Sequence, residues 1–298
     1  MNDSRIPFLP FETTDIDDPS LEKTRKEINE TPESRVRILE IFRKELKNLK
    51  DIEPCMEDEF LLRFLRVSKF DPSEAVKRLQ KFYDQQENQL DAFKGCSFSY
   101  QKIRNLNNLW ISPYRLQNNS FLLIALAGID YTKFTFAERF YLEILAFNKQ
   151  LENPVNQICG VTLICDYEGF NFRSLLTYTP GWIRCFMDSL LTVPCRLKAI
   201  HIINAPSIFS AVYKMTYPFL PKKMQDRVFV HPNNDNWRSL HSFVPADILP
   251  EEYGGKLKHK RLINCLENLE TLDERFCKTL KFGSVKTKHC RNSLKFLY

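Results

Sequence analysis

Glycine is scarce in this chain, and the motifs that depend on it are missing. The 298 residues include only eight glycines, and Gly254–Gly255 is the sole adjacent pair. The chain has neither G-x-x-x-x-G-K-[ST] nor G-x-G-x-x-G, the loops that cradle nucleotide phosphates. The hydrolase and protease motifs G-x-S-x-G and H-E-x-x-H are also missing. The sequence therefore predicts a protein that is not an enzyme and that holds no cofactor or metal.

Long hydrophobic runs and paired cysteines are scarce as well. The longest apolar run, from Phe121 to Ala127, is too short to span a bilayer. The acidic N-terminus lacks the basic start and apolar core of a signal peptide. The nine cysteines include no C-x-x-C pair, which is typical of reduced thiols in the cytosol. We therefore expect a cytoplasmic protein.

Positive charge is concentrated near the C-terminus. The net charge is +6, yet residues 256–298 alone carry 11 Lys+Arg against 4 Asp+Glu. The rest of the chain is therefore close to neutral. This uneven distribution favours a few anionic docking points, such as a membrane surface, over a protein that coats nucleic acid.

The polar residues that could carry chemistry have simple structural interpretations. His201 lies within a buried strand pattern, and His231 precedes a proline in a turn-rich loop, so both are predicted to be structural. Asp166 and Glu168 follow a strand, where α/β enzymes often place functional groups. Without a nearby histidine, lysine or metal partner, these two carboxylates are only a weak signal.

Apolar periodicity divides the chain into four parts. Residues 1–20 are predicted to be a disordered N-terminus and residues 21–95 a helical N-terminal domain. Residues 96–255 alternate strand-like and helical patterns, which predicts an α/β domain with a mostly parallel sheet covered by helices. Residues 256–298 are predicted to be a basic tail. The predicted helices are Val36–Leu49, Glu57–Val67, Pro72–Phe93, Phe136–Leu151, Pro180–Leu191 and Arg261–Leu272, and the predicted strands are Phe121–Ala127, Val161–Cys165, Ala199–Ile203 and Val228–Val230.

One amphipathic segment, residues 196–227, is bracketed by basic side chains. A helix is predicted from Pro206, where the missing N–H costs nothing. Its apolar stripe comprises Ile208, Val212, Met215 and Phe219. Two interpretations are open: an ordinary crossover helix, or a lid that closes on a hydrophobic ligand and opens at an anionic surface.

Four stretches, in order over about 200 residues, resemble the CRAL-TRIO lipid-binding family, in the branch of α-tocopherol transfer protein and cellular retinaldehyde-binding protein. They are FLLRFLRVSKFD (60–71), VTLICDYEGF (161–170), RLKAIHIINAPSIFSAVYKMTYPFLPKKMQDRV (196–228) and ILPEEYGG (248–255). The resemblance implies a helical N-terminal domain, an α/β domain with a deep apolar cavity, and a gate helix from about Ser207 to Tyr217.

The resemblance also implies a basic cleft that binds phosphoinositide headgroups beside the gate. Its residues here would be Arg63 or Arg66, Arg196, Lys198, Lys223 and Arg227. Lys198 stands where the vitamin E branch tends to have arginine, and an ammonium makes weaker bidentate phosphate contacts. The alternative is a set of unrelated surface cations.

The cavity walls carry over from the resemblance in the same way. Glu143 would introduce a carboxylate into the cavity unless it turns to solvent, which disfavours α-tocopherol itself and leaves a retinoid or another isoprenoid open. Each remaining position has the alternative of ordinary packed core. The candidate cavity residues are Phe140, Glu143, Ile144, Phe147, Val161, Leu163, Cys165, Phe170, Ile183, Met187, Val193, Ile202, Ile208, Phe209, Val212 and Met215.

These implications predict a carrier of a small hydrophobic ligand whose exchange is gated by the membrane. We expect a monomer that associates transiently with anionic membranes, through phosphoinositides, and binds no nucleic acid. Two alternatives share the fold: a phosphatidylinositol-type phospholipid transfer protein, and a phosphoinositide-sensing adaptor that transports nothing.

Overall fold

The computed structural model describes residues 8–217 and 220–285, except for the side chains of residues 211, 212, 215 and 216. A helical module comes first. Its helices begin at strong caps: the side chain of Thr31 accepts from the N–H of Ser34, and that of Asp71 from the N–H of Glu74. The elements are α1 (Pro19–Glu27), α2 (Pro32–Leu46), β1 (Ile52–Glu53), α3 (Asp58–Val67), α4 (Pro72–Ala92) and α5 (Tyr100–Ile103). The predicted helices of this region are confirmed, with ends shifted by a few residues.

A mixed, mostly parallel sheet follows. In the described residues its order is β6-β5-β4-β3-β2-β7, with β3 to β6 mutually parallel and β2 and β7 antiparallel at one edge. The strands are β2 (Leu109–Arg115), β3 (Phe121–Leu126), β4 (Val161–Asp166), β5 (Leu197–Ile203), β6 (Val228–Val230) and β7 (Ile263–Asn264). The fold class and the predicted strands are confirmed; β2 and β7 were not predicted, because neither has a long apolar run.

Helices and irregular segments cover the two faces of the sheet. One face packs against α6, α9 and α13 around a large aromatic core, and the other packs against the segment from Leu240 to Leu262. The helices of this part are α6 (Phe136–Gln150), α7 (Pro154–Cys159), α8 (Phe172–Thr177), α9 (Pro180–Thr192), α10 (Phe209–Thr216), α11 (Lys222–Gln225), α12 (Arg238–His241) and α13 (Leu269–Thr279).

The N-terminal segment is ordered from Phe8 onward, which corrects the prediction of disorder over residues 1–20. Pro10 forms a bridge with Tyr114, and the N–H of Arg115 donates to the carbonyl of Leu9 at 2.8 Å. The segment therefore extends the sheet beside β2, where backbone pairing stabilises a polar sequence that has no apolar pattern of its own. Residues 1–7 lie outside the described residues.

The fold also continues past Gly255, the predicted end of the α/β domain. Strand β7 pairs with β2, and β8 (Gly283–Ser284) pairs with β1 in the helical module. The tail helix is α13 over Leu269–Thr279, not Arg261–Leu272 as predicted. The apolar residues Leu269, Leu272 and Phe276 place one face of α13 in the core. The last part of the predicted tail, residues 286–298, lies outside the described residues.

The two histidines form a buried pair, which confirms their predicted structural role. Nδ1 of His201 lies 3.0 Å from Nε2 of His231, whose Nδ1 lies 2.7 Å from the hydroxyl of Ser239. Burial, and secondarily the neighbouring His231, lower the pKa of His201 to about 4.

This pair predicts loss of stability in acid. The unfolded chain protonates His201 below about pH 6.5, whereas the folded protein does so only near pH 4, so falling pH favours unfolding across that window. The loss should reach about 3 kcal/mol, measured by urea unfolding at several pH values. In a His201→Phe variant, the free energy of unfolding should lose most of this dependence on pH. His259→Gln, at an exposed position, should keep it. An unchanged slope in His201→Phe would contradict the assignment.

Candidate functional site

A mostly apolar cavity lies between the sheet and the helices that cover its aromatic face. Strands β2, β3 and β4 form one wall and α6 and α9 form two others, while α4 from the helical module and α13 complete the enclosure. The lining residues are Phe82, Gln85, Gln86, Gln89, Leu109, Leu123, Ala125, Arg139, Phe140, Glu143, Ile144, Phe147, Asn148, Leu151, Leu163, Cys165, Phe186, Ser189, Leu190, Thr192, Val193, Pro194 and Phe276. Such an apolar space between packed helices and a sheet is suited to a hydrophobic ligand.

Glu143 faces this cavity and does not turn to solvent. It is 7% exposed, and its Oε1 lies 2.7 Å from Nη2 of Arg139, one turn earlier on α6. Burial raises the pKa of Glu143, and the charge of Arg139 opposes that rise. Arg139 also donates to the hydroxyls of Tyr131 and Tyr178. The cavity wall thus contains an internal ion pair held by two phenols.

A row of glutamines from α4 forms the opposite part of the wall. Nε2 of Gln85 donates to the carbonyl of Cys185 at 2.9 Å and to the hydroxyl of Ser189 at 3.0 Å. Nε2 of Gln89 donates to the same hydroxyl at 2.8 Å. These amides attach the helical module to α9. Gln86 lies between them and is 4% exposed.

The predicted cavity residues divide into two groups. Those in the observed lining are Phe140, Glu143, Ile144, Phe147, Leu163, Cys165 and Val193. Those outside it are Val161, Phe170, Ile183, Met187, Ile202, Ile208 and Phe209; the buried members among them are packed core, because neighbouring side chains fill the space beside them. The side chains of Val212 and Met215, and all of Phe219, lie outside what the structure describes.

Helix α10, the predicted gate, packs on the core through aromatic residues. Phe209, Tyr213 and Tyr217 recur at a spacing of four, and the Phe209 ring lies 4.4 Å from that of Tyr167. This face was not the predicted apolar stripe. The predicted stripe did not include the two tyrosines, whose rings pack against the aromatic core.

Helix α8 presents two large apolar side chains to solvent near α10. Phe172 is 64% exposed and Leu176 is 65% exposed, one turn apart on the same helix face. Phe170, just before α8, contacts the Tyr167 ring that also contacts α10. Sequence reasoning missed this pair, because a helix of six residues gives almost no periodic signal.

Basic residues meet where two parallel strands begin. Arg196 and Lys198 lie at the start of β5, and Arg227 lies just before β6; because the strands are parallel, these ends are adjacent. Burial, then the charge of Arg196, lowers the pKa of Lys198. Lys223 of α11 joins them, and burial followed by Arg227 lowers its pKa. Four of the predicted cations therefore lie together: Arg196, Lys198, Lys223 and Arg227.

Two further cations belong to this group and were not predicted. Lys69, in the turn after α3, and Arg78 of α4 both act electrostatically on Lys223. We call the six residues Lys69, Arg78, Arg196, Lys198, Lys223 and Arg227 the cationic cluster. Among the described side chains, only Arg196 of this cluster has a carboxylate within 4 Å, that of Glu27 at 3.9 Å. Lys69 lies within FLLRFLRVSKFD, one of the stretches that carry the family resemblance. This position was the sequence feature that could have identified it.

Arg63 and Arg66, the remaining residues of the predicted cleft, have partners outside the cationic cluster. Nη2 of Arg66 lies 2.8 Å from Oε1 of Glu30, and Arg66 also donates to the side-chain oxygen of Gln157. Burial opposes ionisation of Glu30, but Arg66 and Arg35 together outweigh it and lower the pKa of Glu30. Arg63 instead faces Glu152 on the side of α6 and α13. The two arginines are three residues apart on α3, and the surrounding elements decide their roles.

The strand-end carboxylates serve the fold. Asp166 accepts hydrogen bonds from the Tyr253 hydroxyl at 2.7 Å, from Nδ2 of Asn204 at 2.9 Å, and from the N–H of Glu168. Its oxygens are therefore occupied by the loops that follow β4 and β5. In the described part of the chain, no group of three or more histidine, cysteine or acidic side chains is arranged to hold a metal ion. No described helix has the length and apolar character needed to cross a membrane.

A helical module that closes an apolar cavity in an α/β domain defines the class: a two-part protein with room for a hydrophobic ligand. Residues 39–81 match the CRAL/TRIO N-terminal domain, and residues 108–255 match the CRAL/TRIO domain. Together with the relatives below, these matches show that the chain belongs to the CRAL/TRIO family of lipid-binding proteins. The predicted resemblance is confirmed.

The relatives cover most of the chain. Clavesin-2 of Rattus norvegicus is 32% identical over 250 residues, which are 80% of this chain and 74% of that protein. Clavesin-1 of Xenopus laevis is 31% identical over 250 residues, 80% of this chain and 73% of that protein. The crystal structure of Sfh5 aligns with a TM-score of 0.46 at 14% identity, covering 89% of this chain and 99% of that one.

The buried position of Arg66 leads to a prediction about stability. Replacing it with methionine leaves the buried Glu30 with Arg35 as its remaining ion-pair partner, and should lower the free energy of unfolding by about 3 kcal/mol in urea titrations. Arg37→Met, at an exposed position of α2, should change it by less than about 0.5 kcal/mol. A fully stable Arg66→Met variant with weakened binding to anionic vesicles would instead place Arg66 in the lipid-binding surface.

Proposed function

We propose that this protein carries a small hydrophobic ligand through the cytosol and exchanges it when it docks on an anionic membrane. The observation that carries the proposal is the cavity, which is mostly apolar and lies in a chain of a lipid-binding family. Its wall is rich in phenylalanine, which suits an extended isoprenoid such as a retinoid or a tocopherol-like compound.

The charge balance of the cavity supports a neutral ligand over a phospholipid. Arg139 and Glu143 are the charged members of its described lining, and they pair with each other. A phosphate group inside would therefore meet no unpaired cation and would lose its hydration without compensation. Phosphatidylinositol-type transfer is the runner-up, and mass spectrometry of lipid that copurifies with the protein distinguishes the two.

Membrane docking in this proposal uses two surfaces. The exposed pair Phe172 and Leu176 enters the interface, where burial of each large side chain is worth about 1.5–3 kcal/mol. The cationic cluster binds anionic headgroups, each basic residue contributing about 1 kcal/mol near such a surface.

The position of the cluster connects headgroup binding to the gate. Lys223 and Arg227 follow α10 closely in the chain, and Nε2 of Gln225 donates to the carbonyls of Tyr217 and Leu220 at the end of that helix. An anion that draws these cations together moves the segment on which α10 ends. The proposal therefore assigns phosphoinositides a direct part in moving α10.

The first test removes two cations of the cluster. Lys198→Ala/Lys223→Ala should bind phosphatidylcholine vesicles containing a phosphoinositide about thirtyfold more weakly, because two contributions of about 1 kcal/mol are lost. Transfer of retinol, used as a fluorescent probe, to these vesicles should slow in parallel. Lys222→Ala is the matched control, since Lys222 pairs with Asp226 at 2.9 Å and lies outside the cluster. Equal transfer by both variants would refute phosphoinositide-assisted exchange.

The second test removes the exposed apolar pair. Phe172→Ala/Leu176→Ala should weaken vesicle binding by about 3–6 kcal/mol, measured by co-sedimentation, with no loss of thermal stability. Val36→Ala, an equally exposed apolar residue of α2, should have no effect on binding. If both variants bind vesicles as the parent protein does, α8 is not part of the docking surface.

A further inference from the structure

We propose that Gln86 of the helical module selects ligands that carry a hydroxyl group. This inference rests on the proposed carrier function and names the chemical class of its ligand. It assigns the polar end of the cavity to α4, which lies outside the α/β domain that supplies most of the cavity wall.

The inference starts from an unpartnered acceptor. Gln86 lines the cavity at 4% exposure, and its amide oxygen Oε1 has no hydrogen-bond partner among the described residues. Buried amide oxygens are paired in the large majority of proteins, because an unpaired one has lost its bond to water. An acceptor left open on the wall of an apolar cavity is therefore suited to a donor on the ligand.

Among the three glutamines that line the cavity, only Gln86 has a buried amide oxygen without a hydrogen-bond partner in the described residues. The amides of Gln85 and Gln89 are occupied by the Cys185 carbonyl and the Ser189 hydroxyl, which attach α4 to α9. Gln86, beside Gln85 on the same helix, takes no part in that attachment. Its polar side chain is not needed to hold the two parts of the protein together.

The charges of the cavity define the donor. An ammonium group would be buried without a free counter-charge, because Glu143 already pairs with Arg139 at 2.7 Å. A carboxylic acid would ionise at neutral pH, and its negative charge would be buried without a free cation, because Arg139 already pairs with Glu143. A hydroxyl donates one hydrogen bond and carries no charge, so an apolar alcohol of the isoprenoid type fits best.

The experiment compares retinol with retinyl methyl ether, in which a methyl group replaces the hydroxyl proton, so that the oxygen can no longer donate. The full-length protein should bind retinol about tenfold more tightly in fluorescence titrations, the value of one hydrogen bond to a buried acceptor. Gln86→Met keeps the length of the side chain and should bind the two compounds equally. Gln80→Met, on the same helix but outside the cavity lining, is the matched control and should keep the preference for the alcohol.

The outcomes separate this inference from the carrier proposal. If the parent protein binds both compounds equally, the hydroxyl is not recognised and the carrier function stands. If Gln86→Met keeps the preference, another group recognises the hydroxyl and the assignment to Gln86 is wrong. If the parent protein binds neither compound and a phospholipid copurifies with it, the isoprenoid carrier proposal fails, and this inference fails with it.

Discussion

The packing of α4 against α9 is the contact on which the cavity depends. Helix α4 belongs to the helical module and α9 to the α/β domain, so the enclosure is complete only when the two parts are joined. Gln85 and Gln89 connect the two parts through hydrogen bonds to polar groups of α9. Arg66 of the helical module adds a hydrogen bond to Gln157 of α7 in the α/β domain. Because these buried polar groups are satisfied in one arrangement, they fix the relative position of the two parts.

The parallel order of the sheet separates two functions in space. The aromatic face of the sheet and the helices on it enclose the cavity, while the N-terminal ends of β5 and β6 hold the cationic cluster. Five cations of that cluster have no carboxylate within 4 Å among the described residues, so their mutual repulsion opposes folding. Such a local cost is typical of a binding surface, where an anion from outside supplies the missing charge.

Much of the fold was accessible from the sequence because its main elements have strong local patterns. The amphipathic helices α4 and α6 and the apolar strands β3, β4 and β5 appear near their predicted positions. The elements that were missed are short or polar. Strand β2 contains Pro113 and alternates poorly, β7 has two residues, and α8 has six, so their structure comes from neighbouring elements and not from their own composition.

By itself, the sequence determined the secondary structure of the long elements, the α/β class, the family, and the basic bracket around residues 196–227. Only the tertiary structure decided which residues share a site. It buried Arg66 against Glu30, brought Lys69 and Arg78 to the ends of β5 and β6, turned Glu143 inward beside Arg139, and placed Gln86 on the cavity wall. The physical reason is that periodicity reports the exposed and buried faces of one element, whereas partners distant in the chain are set by how the elements pack.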